Sequence, residues 1–471
     1  MAVGALALAA VVVWALVPTY PNYDAYYHLI WGRELLDGHE PSFEAYKAPT
    51  QHPLYLAVAA LSGALFGSGG DRALVLLTAL SLVALVWAVF RLGRAVFGPW
   101  PGAVAALLTG SSFSLLLYAA RAYVDVPFLA LVFWAAVLDA ERPRRGAVVM
   151  ALLALAGLLR PEAWLLAGAY WLWCVWPSLR TQRVTARTLR PGLLALAATG
   201  PAVWAIVDFT VTGDPLHSLH ATSDLAGELD RERGLGAVPG ALLRYLADTL
   251  RPPVLIAALG GIALAWRLRA GRSLHVPLGL LGAGLLAFVA TGVAGLSILP
   301  RYLTVPAVVL TIPAGYALAG WVALKPVTAW RRRWAVAVAV LSIAGVGFVA
   351  TRLTVVDRFT AELRYVRAVH DDLAGALSDD ALAAGRRCGP VSLPNYRLVP
   401  DTRWILNAPR GRVGARSAKR RDSGVALFYA DSKTLRRFGF ADGASPLTNA
   451  PDPGFERAAR HGRITVYVAC P

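Results

Sequence analysis

The chain has 471 residues, 57% of them hydrophobic and 16% charged, and a formal net charge of +17. Soluble domains carry about 25% charged and about 45–50% apolar residues, so the composition excludes a disordered chain, a disulfide scaffold and an ordinary soluble enzyme. A soluble nucleic-acid binder is also basic, but it lacks long uncharged apolar runs. The reading is a polytopic membrane protein with membrane lipids, and no nucleic acid, as partners.

In chain order, the apolar runs predict spans near 3–17, 72–96, 101–119, 126–140, 147–159, 162–177, 191–211, 253–266, 274–298, 302–323 and 335–352. That is about eleven helices, several of them shorter than the roughly 20 residues a span needs; these are tilted, extended by flanking residues or shielded by protein. No Lys or Arg precedes the first run and no small-x-small site precedes Pro18, so the first run reads as a retained helix. The run 53–67 fits either a span or a helix on the membrane surface. Charge favours the surface. Arg91 and Arg94; Arg142, Arg144 and Arg145; Arg180, Arg183, Arg187 and Arg190; Arg267, Arg269 and Arg272; and Lys325, Arg331, Arg332 and Arg333 then share one side. The opposite turns carry single arginines, Arg121, Arg160 and Arg301. Lys/Arg bias in short loops sets orientation, which predicts a cytoplasmic N-terminus and an outward C-terminal domain in the plasma (inner) membrane.

Three segments are then extracytoplasmic. The first loop with its juxtamembrane helices covers 19–67 and opens acidic, with Asp24, Glu34, Asp37, Glu40 and Glu44 against Arg33 and Lys47. The second covers 213–251. The third divides the chain into a membrane domain, 1–353, and a C-terminal domain, 354–471, whose pattern predicts a small α/β unit. Its expected elements are a helix over 357–384 and strands near 390–393, 425–430 and 464–469, with a basic loop over 411–423. The overall fold class is therefore an all-α polytopic membrane protein with a small extracytoplasmic α/β domain. Of the three cysteines, Cys174 lies in a span, while Cys388 and Cys470 lie outside, where oxidising conditions allow a bridge between them.

The segment Pro21-Asn22-Tyr23-Asp24-Ala25-Tyr26-Tyr27-His28 places one acid among aromatics directly after the first helix. Residues 31–38 read as a short amphipathic helix, and Pro53-Leu54-Tyr55 opens the surface helix. Arg91-Leu92-Gly93-Arg94-Ala95-Val96-Phe97-Gly98 closes a span. Arg121-Ala122-Tyr123-Val124-Asp125, Leu159-Arg160-Pro161-Glu162 and Arg301-Tyr302-Leu303 sit at later outer turns.

This order of motifs, over roughly residues 1–325, resembles the GT-C superfamily of membrane glycosyltransferases. It is most similar to the family-39-like members, the lipid A aminoarabinose transferases and protein O-mannosyltransferases. The resemblance implies a sugar donor on a polyprenyl phosphate, a glycan, lipid or protein acceptor, and inverting transfer to a hydroxyl outside the cytoplasm. Many relatives have two adjacent acids in the first loop; here Ala25 follows Asp24, so Asp24 stands alone and no metal or other cofactor is expected. In that setting Asp24 is the candidate base and Asp125 a second site carboxylate. Lys47, Arg121, Arg160 and Arg301 are candidate cations for the lipid phosphate, and His52, Glu162 and Tyr302 are candidate substrate contacts.

Structural readings of the same residues stand beside these. Asp24 or Asp125 can cap the helix that follows it. Arg301 can mark a helix end, and Arg160 can pair with Glu162 across Pro161. His28 reads better as a hydrogen-bonding residue than as a ligand. His217 and His220, with Asp224 nearby, have metal-compatible spacing but no fuller ligand set. The competing function is a non-enzymatic transporter or assembly partner in envelope glycan synthesis. Transporters place charges and broken helices at the midplane, whereas the ionisable groups here gather at the outer ends.

Overall fold

Ala2–Leu16 (α1) contains no charged side chain and points most of its surface outward, as a lipid-facing helix does. In the computed structural model, which describes residues 2–181, 185, 188–324, 328–351, 354–439 and 449–470, every apolar run predicted to span is helical. Arg183, Arg187 and Lys325 of the basic clusters lie outside the described residues.

Two short helices follow α1 before the next long one. Tyr23–Leu36 (α2) packs on Pro53–Phe66 (α3), so closely that a Cβ at Gly32 would land 2.6 Å from the Ala60 backbone nitrogen. Small residues of this kind let helix backbones approach in a membrane. Gly67 (φ 54°) opens a short 3-10 turn that leads into Gly70–Phe97 (α4). Pro99–Gly110 (α5) and Phe113–Ala120 (α6) form one span bent by 57°; Asp125–Glu141 (α7), Ala147–Gly157 (α8) and Glu162–Thr181 (α9) follow. Next come Pro191–Thr212 (α10), His217–Glu228 (α11), Val238–Leu250 (α12) and Pro252–Arg267 (α13). His275–Val293 (α14), Thr304–Ala319 (α15) and Ala329–Ala350 (α16) complete the membrane part.

By length and apolarity alone, five described stretches can cross a membrane, or seven when each bent pair counts as one span. The shorter expected spans are shielded by protein. Most of α7 is buried, α8 buries Val149, Met150 and Leu153, and nearly all of α15 is enclosed by its neighbours. At the other extreme, α16 buries only Trp334 and exposes Val340, Ile343 and Val346, a surface suited to lipid. The basic ends of the helices are tied together. Arg91 pairs with Glu141 at 2.6 Å, and Ser273 Oγ donates to the Ala140 carbonyl at 3.1 Å.

The tail has its own apolar core. The helix expected over 357–384 is two helices, Thr354–Leu377 (α17) and Asp380–Cys388 (α18). Asp379 interrupts it by capping α18, accepting from the Ala381 amide at 2.8 Å. Val391–Leu393 (β1) precedes Val399–Ile405 (α19) and Val413–Ala415 (β2); the expected loop over 411–423 thus contains a strand, because Val413 and Ala415 are buried beside β1. Gly424–Tyr429 (β3), Glu456–His461 (β4) and Ile464–Ala469 (β5) complete a sheet of order β2-β1-β3-β5-β4. The first three strands in that order are parallel; β5 runs antiparallel to both β3 and β4. A Cys388–Cys470 disulfide ties the end of α18 to the chain after β5, with Cα atoms 5.2 Å apart.

The tail is seated on α2 through α19. Arg403 Nη2 donates to Glu34 Oε1 at 2.7 Å, and the Arg33 guanidinium lies 4.9 Å above the Trp404 ring. Helix α2 is therefore buried on all sides from Ala25 to Gly32 rather than lying as an amphipathic surface helix.

Candidate active site

The site begins with a staple between two turns. Asn22 caps α2, accepting from the Ala25 amide at 3.1 Å, and its own amide and Nδ2 donate to the Arg121 carbonyl at 2.8 and 3.0 Å. The Arg121 guanidinium donates in turn to the Tyr20 and Pro21 carbonyls, each at 3.0 Å. Arg121 thus holds the segment that carries Asp24. Because Asn22 is the cap, the Asp24 carboxylate is not consumed in capping and points from the first turn of α2 toward Arg301.

Asp24 Oδ2 and Arg301 Nη1 lie 3.3 Å apart, each side chain 27% exposed. Arg301 comes from the turn before α15. The Asp24 carboxylate balances the charge of the Arg301 guanidinium. Tyr302 lies beneath both arginines of the site, 5.8 Å from the Arg301 guanidinium and 5.2 Å from that of Arg160. Arg160 is ion-paired with Asp125 and, at 2.7 Å, with Glu162 across Pro161. Burial opposes the charge of Arg160, and Asp125 and Glu162 hold its pKa above the usual value.

Beneath Asp24, two histidines form a neutral bridge. The His52 amide donates to His28 Nε2 at 3.0 Å, which places the His28 proton on Nδ1, where it donates to the Asp24 carbonyl at 2.7 Å. Burial lowers the His28 pKa to about 4 and drives that of His52 well below its usual value. Neither ring is a proton acceptor for catalysis; together they fix the backbone of α2 to the start of α3.

Most of these groups open onto one cavity of about 1170 Å³ between the helix ends and the tail. Of the residues singled out in the sequence, Asp24, Lys47, His52, Arg121, Arg160, Glu162, Arg301 and Tyr302 line it. Asp125 does not. Its side chain is fully buried behind Arg160, so it acts through that arginine rather than as a second carboxylate facing substrate. It does not cap α7 either, because the helix starts at Asp125 itself. Lys47 is ion-paired with Glu228 of α11. His220 pairs with Asp214 at 2.7 Å, and among the described residues no cluster of three or more His, Cys, Asp or Glu side chains is placed to hold a metal.

Sequence reading missed Asp208, an acid inside the apolar run of α10. It is buried and accepts from Gln51 Nε2 at 3.2 Å and from the Ser218 amide and hydroxyl at 2.8 and 2.9 Å, clamping the second outer segment onto the first loop. A carboxylate in an otherwise uncharged run was the available signal. It also missed the cavity-lining side chains of the tail, including His370 and Asp401, for which no local pattern exists. Leu117, Trp164, Leu165, Trp204 and Ala287 give the cavity apolar walls.

A bundle of membrane helices, a buried juxtamembrane helix pair and a small α/β tail around one cavity make up a GT-C-type fold. The family model described as dolichyl-phosphate-mannose-protein mannosyltransferase matches residues 47–204. The structure is similar to that of ArnT from Cupriavidus metallidurans bound to undecaprenyl phosphate, with TM-score 0.58, 15% sequence identity, and 100% of this chain and 99% of that chain covered. The apo state of the same ArnT gives TM-score 0.57 at 15% identity with the same coverage. No curated protein matches the sequence. The family match supports glycosyltransferase activity, and the structural matches show a shared fold.

Proposed function

We propose that the protein transfers a sugar from a polyprenyl-phosphate donor to a hydroxyl acceptor on the extracytoplasmic side of the membrane, by direct displacement with inversion. The observation that carries this is the pairing of Asp24 and Arg301 at 3.3 Å at the edge of a large, mostly apolar cavity. A base and a phosphate-binding cation are the two groups such a reaction requires, and the apolar walls suit a prenyl chain. The ArnT relative was solved with undecaprenyl phosphate bound, a lipid of the same class as the proposed donor's.

In the proposed step the acceptor oxygen bonds to the anomeric carbon as the bond from that carbon to the phosphate oxygen breaks. The acceptor proton passes to Asp24, and the bonding pair leaves with the polyprenyl phosphate. The phosphate is a good leaving group, so charge neutralisation by Arg301 serves where an acid would otherwise be needed. Arg160 is engaged by two carboxylates and supports Tyr302 and the cavity wall. Asp125 holds Arg160, and Arg121 holds the Asp24 segment. The basic helix ends support an orientation with this cavity outside. The reading needs no metal.

Mass spectrometry of lipids that co-purify with the protein tests the donor, together with a transfer assay using the lipid identified. A polyprenyl-phosphate sugar that is consumed supports the proposal; an unrelated lipid, with no turnover of polyprenyl-phosphate sugars, overturns it.

A further inference from the structure

One wall of the cavity comes from the tail. Glu362, Val366, Val369, His370 and Leu373 recur at three- and four-residue spacing and form one face of α17, and α19 adds Asp401. Glu362 is ion-paired with Arg437. Two other polar groups on this wall do no structural work. Among the described residues, the Asp401 carboxylate has no ion-pair or hydrogen-bond partner on another residue. The His370 ring stacks on Tyr20 with centroids 3.4 Å apart, and its Nδ1 is buried without a partner.

The chemistry here differs from that at Arg301. The nearby cation, Arg121, already donates to the Tyr20 and Pro21 carbonyls. Besides Arg397, whose Nε is buried without a partner, and the paired Arg437, the wall presents a carboxylate and an imidazole stacked on Tyr20. A carboxylate accepts from hydroxyls and repels phosphates, and aromatic faces suit the C–H side of a sugar ring. We propose that Asp401 and His370, backed by Tyr20, form the acceptor subsite and hold a neutral, hydroxyl-rich sugar. The proposal rests on the glycosyl-transfer reading of the same cavity. Tyr20 and Asp24 are four residues apart, at most about 14 Å of extended chain, a distance one or two sugar rings bridge. The acceptor held at Asp401 then presents a hydroxyl to Asp24, while the donor phosphate occupies the Arg301 end. Arg397 also lines the cavity, which makes an acidic sugar the competing ligand.

The test uses the full chain in detergent and saturation-transfer NMR with three soluble ligands: a methyl glycoside of a neutral hexose, of glucuronic acid and of glucosamine. The neutral glycoside is expected to bind best. Asp401→Asn is expected to weaken it up to about tenfold, the loss of one hydrogen bond. Asp401→Glu restores part of the binding, His370→Gln weakens it, and affinity for polyprenyl phosphate is unchanged in all three. An intact Cys388–Cys470 bridge and a monodisperse elution profile confirm folding. Equal neutral-glycoside binding by Asp401→Asn, or tighter binding of the glucuronide or the glucosaminide, overturns the subsite. The two proposals fail separately. Wild-type turnover with an acceptor KM unchanged in Asp401→Asn removes the subsite and leaves the transferase. Asp401-dependent glycoside binding without any turnover removes the transferase and leaves a sugar site.

Discussion

Arg301 reaches the Asp24 carboxylate at 3.3 Å although 277 residues of chain separate them. The pair joins the first outer loop to the turn that opens α15. In the proposed reaction a donor phosphate competes for Arg301 and releases Asp24 to accept a proton.

Asp24→Asn keeps the shape and hydrogen bonding of the site but removes the base. The expected loss in kcat is about 10²–10⁴-fold, with insertion and donor binding retained. Turnover with the identified donor, measured beside lipid-phosphate binding, checks this; a wild-type rate would end the base assignment.

Arg301→Ala is expected to weaken donor binding by about tenfold or more, with a smaller effect on the acceptor, because a charge-assisted contact to phosphate is lost. Arg301→Lys recovers the charge without the planar fork and is expected to fall between the two. Competitive displacement of a labelled polyprenyl phosphate gives the three affinities.

Asp125→Leu leaves Arg160 buried with Glu162 as its remaining ionic partner. Breaking a buried pair costs about 3–5 kcal/mol, and the retained Glu162 places this case at the lower end. Asp125→Asn keeps a hydrogen bond and is expected to lose less. Thermal unfolding in detergent ranks the variants; equal Tm values would show that Asp125 does not brace Arg160.

Asp401 supplies a pH signature. Burial pushes its carboxyl up to about 7 from the ordinary 3.8, with Arg121 opposing and Asp71 adding to the shift. Tyr26 on α2, and Tyr20 and His370 beside the cavity, are the other titratable groups packed around it. A raised acid pKa means the folded state binds the proton more tightly. The stability it contributes is complete below the unfolded value near 3.8 and is lost as pH rises through about 7. Asp401→Asn does not titrate, so its Tm relative to wild type is expected to increase between pH 4 and pH 8 and to level off above. A difference in Tm that is flat with pH would contradict the buried, protonatable state.

Much of the membrane part was readable because apolar runs and basic loops have periods and signs that need no tertiary information. Composition and the order of the motifs were enough to select the fold, and the candidate base, Asp24, lines the cavity. Cys388 and Cys470 were the two cysteines outside the spans, and they are bridged. Short spans such as α8 broke the length rule because protein, rather than lipid, covers them. The division of α17 from α18 depended on the competition of Asp379 as a cap against continued helix. The buried edge strand β2 depended on pairing with β1, which a basic local sequence conceals.

The sequence by itself determined which side chains gather at the outer helix ends, since charges leave the bilayer interior wherever they can. Tertiary structure alone decided what those side chains do. It made Asn22 the cap and left Asp24 open to the cavity, moved Asp125 behind Arg160, and bound Arg121 to the Tyr20 and Pro21 carbonyls. It also brought His370 and Asp401 from the tail to the same cavity. The physical reason is that hydrogen-bond partners and burial belong to pairs of residues distant in the chain, and no local pattern specifies such pairs.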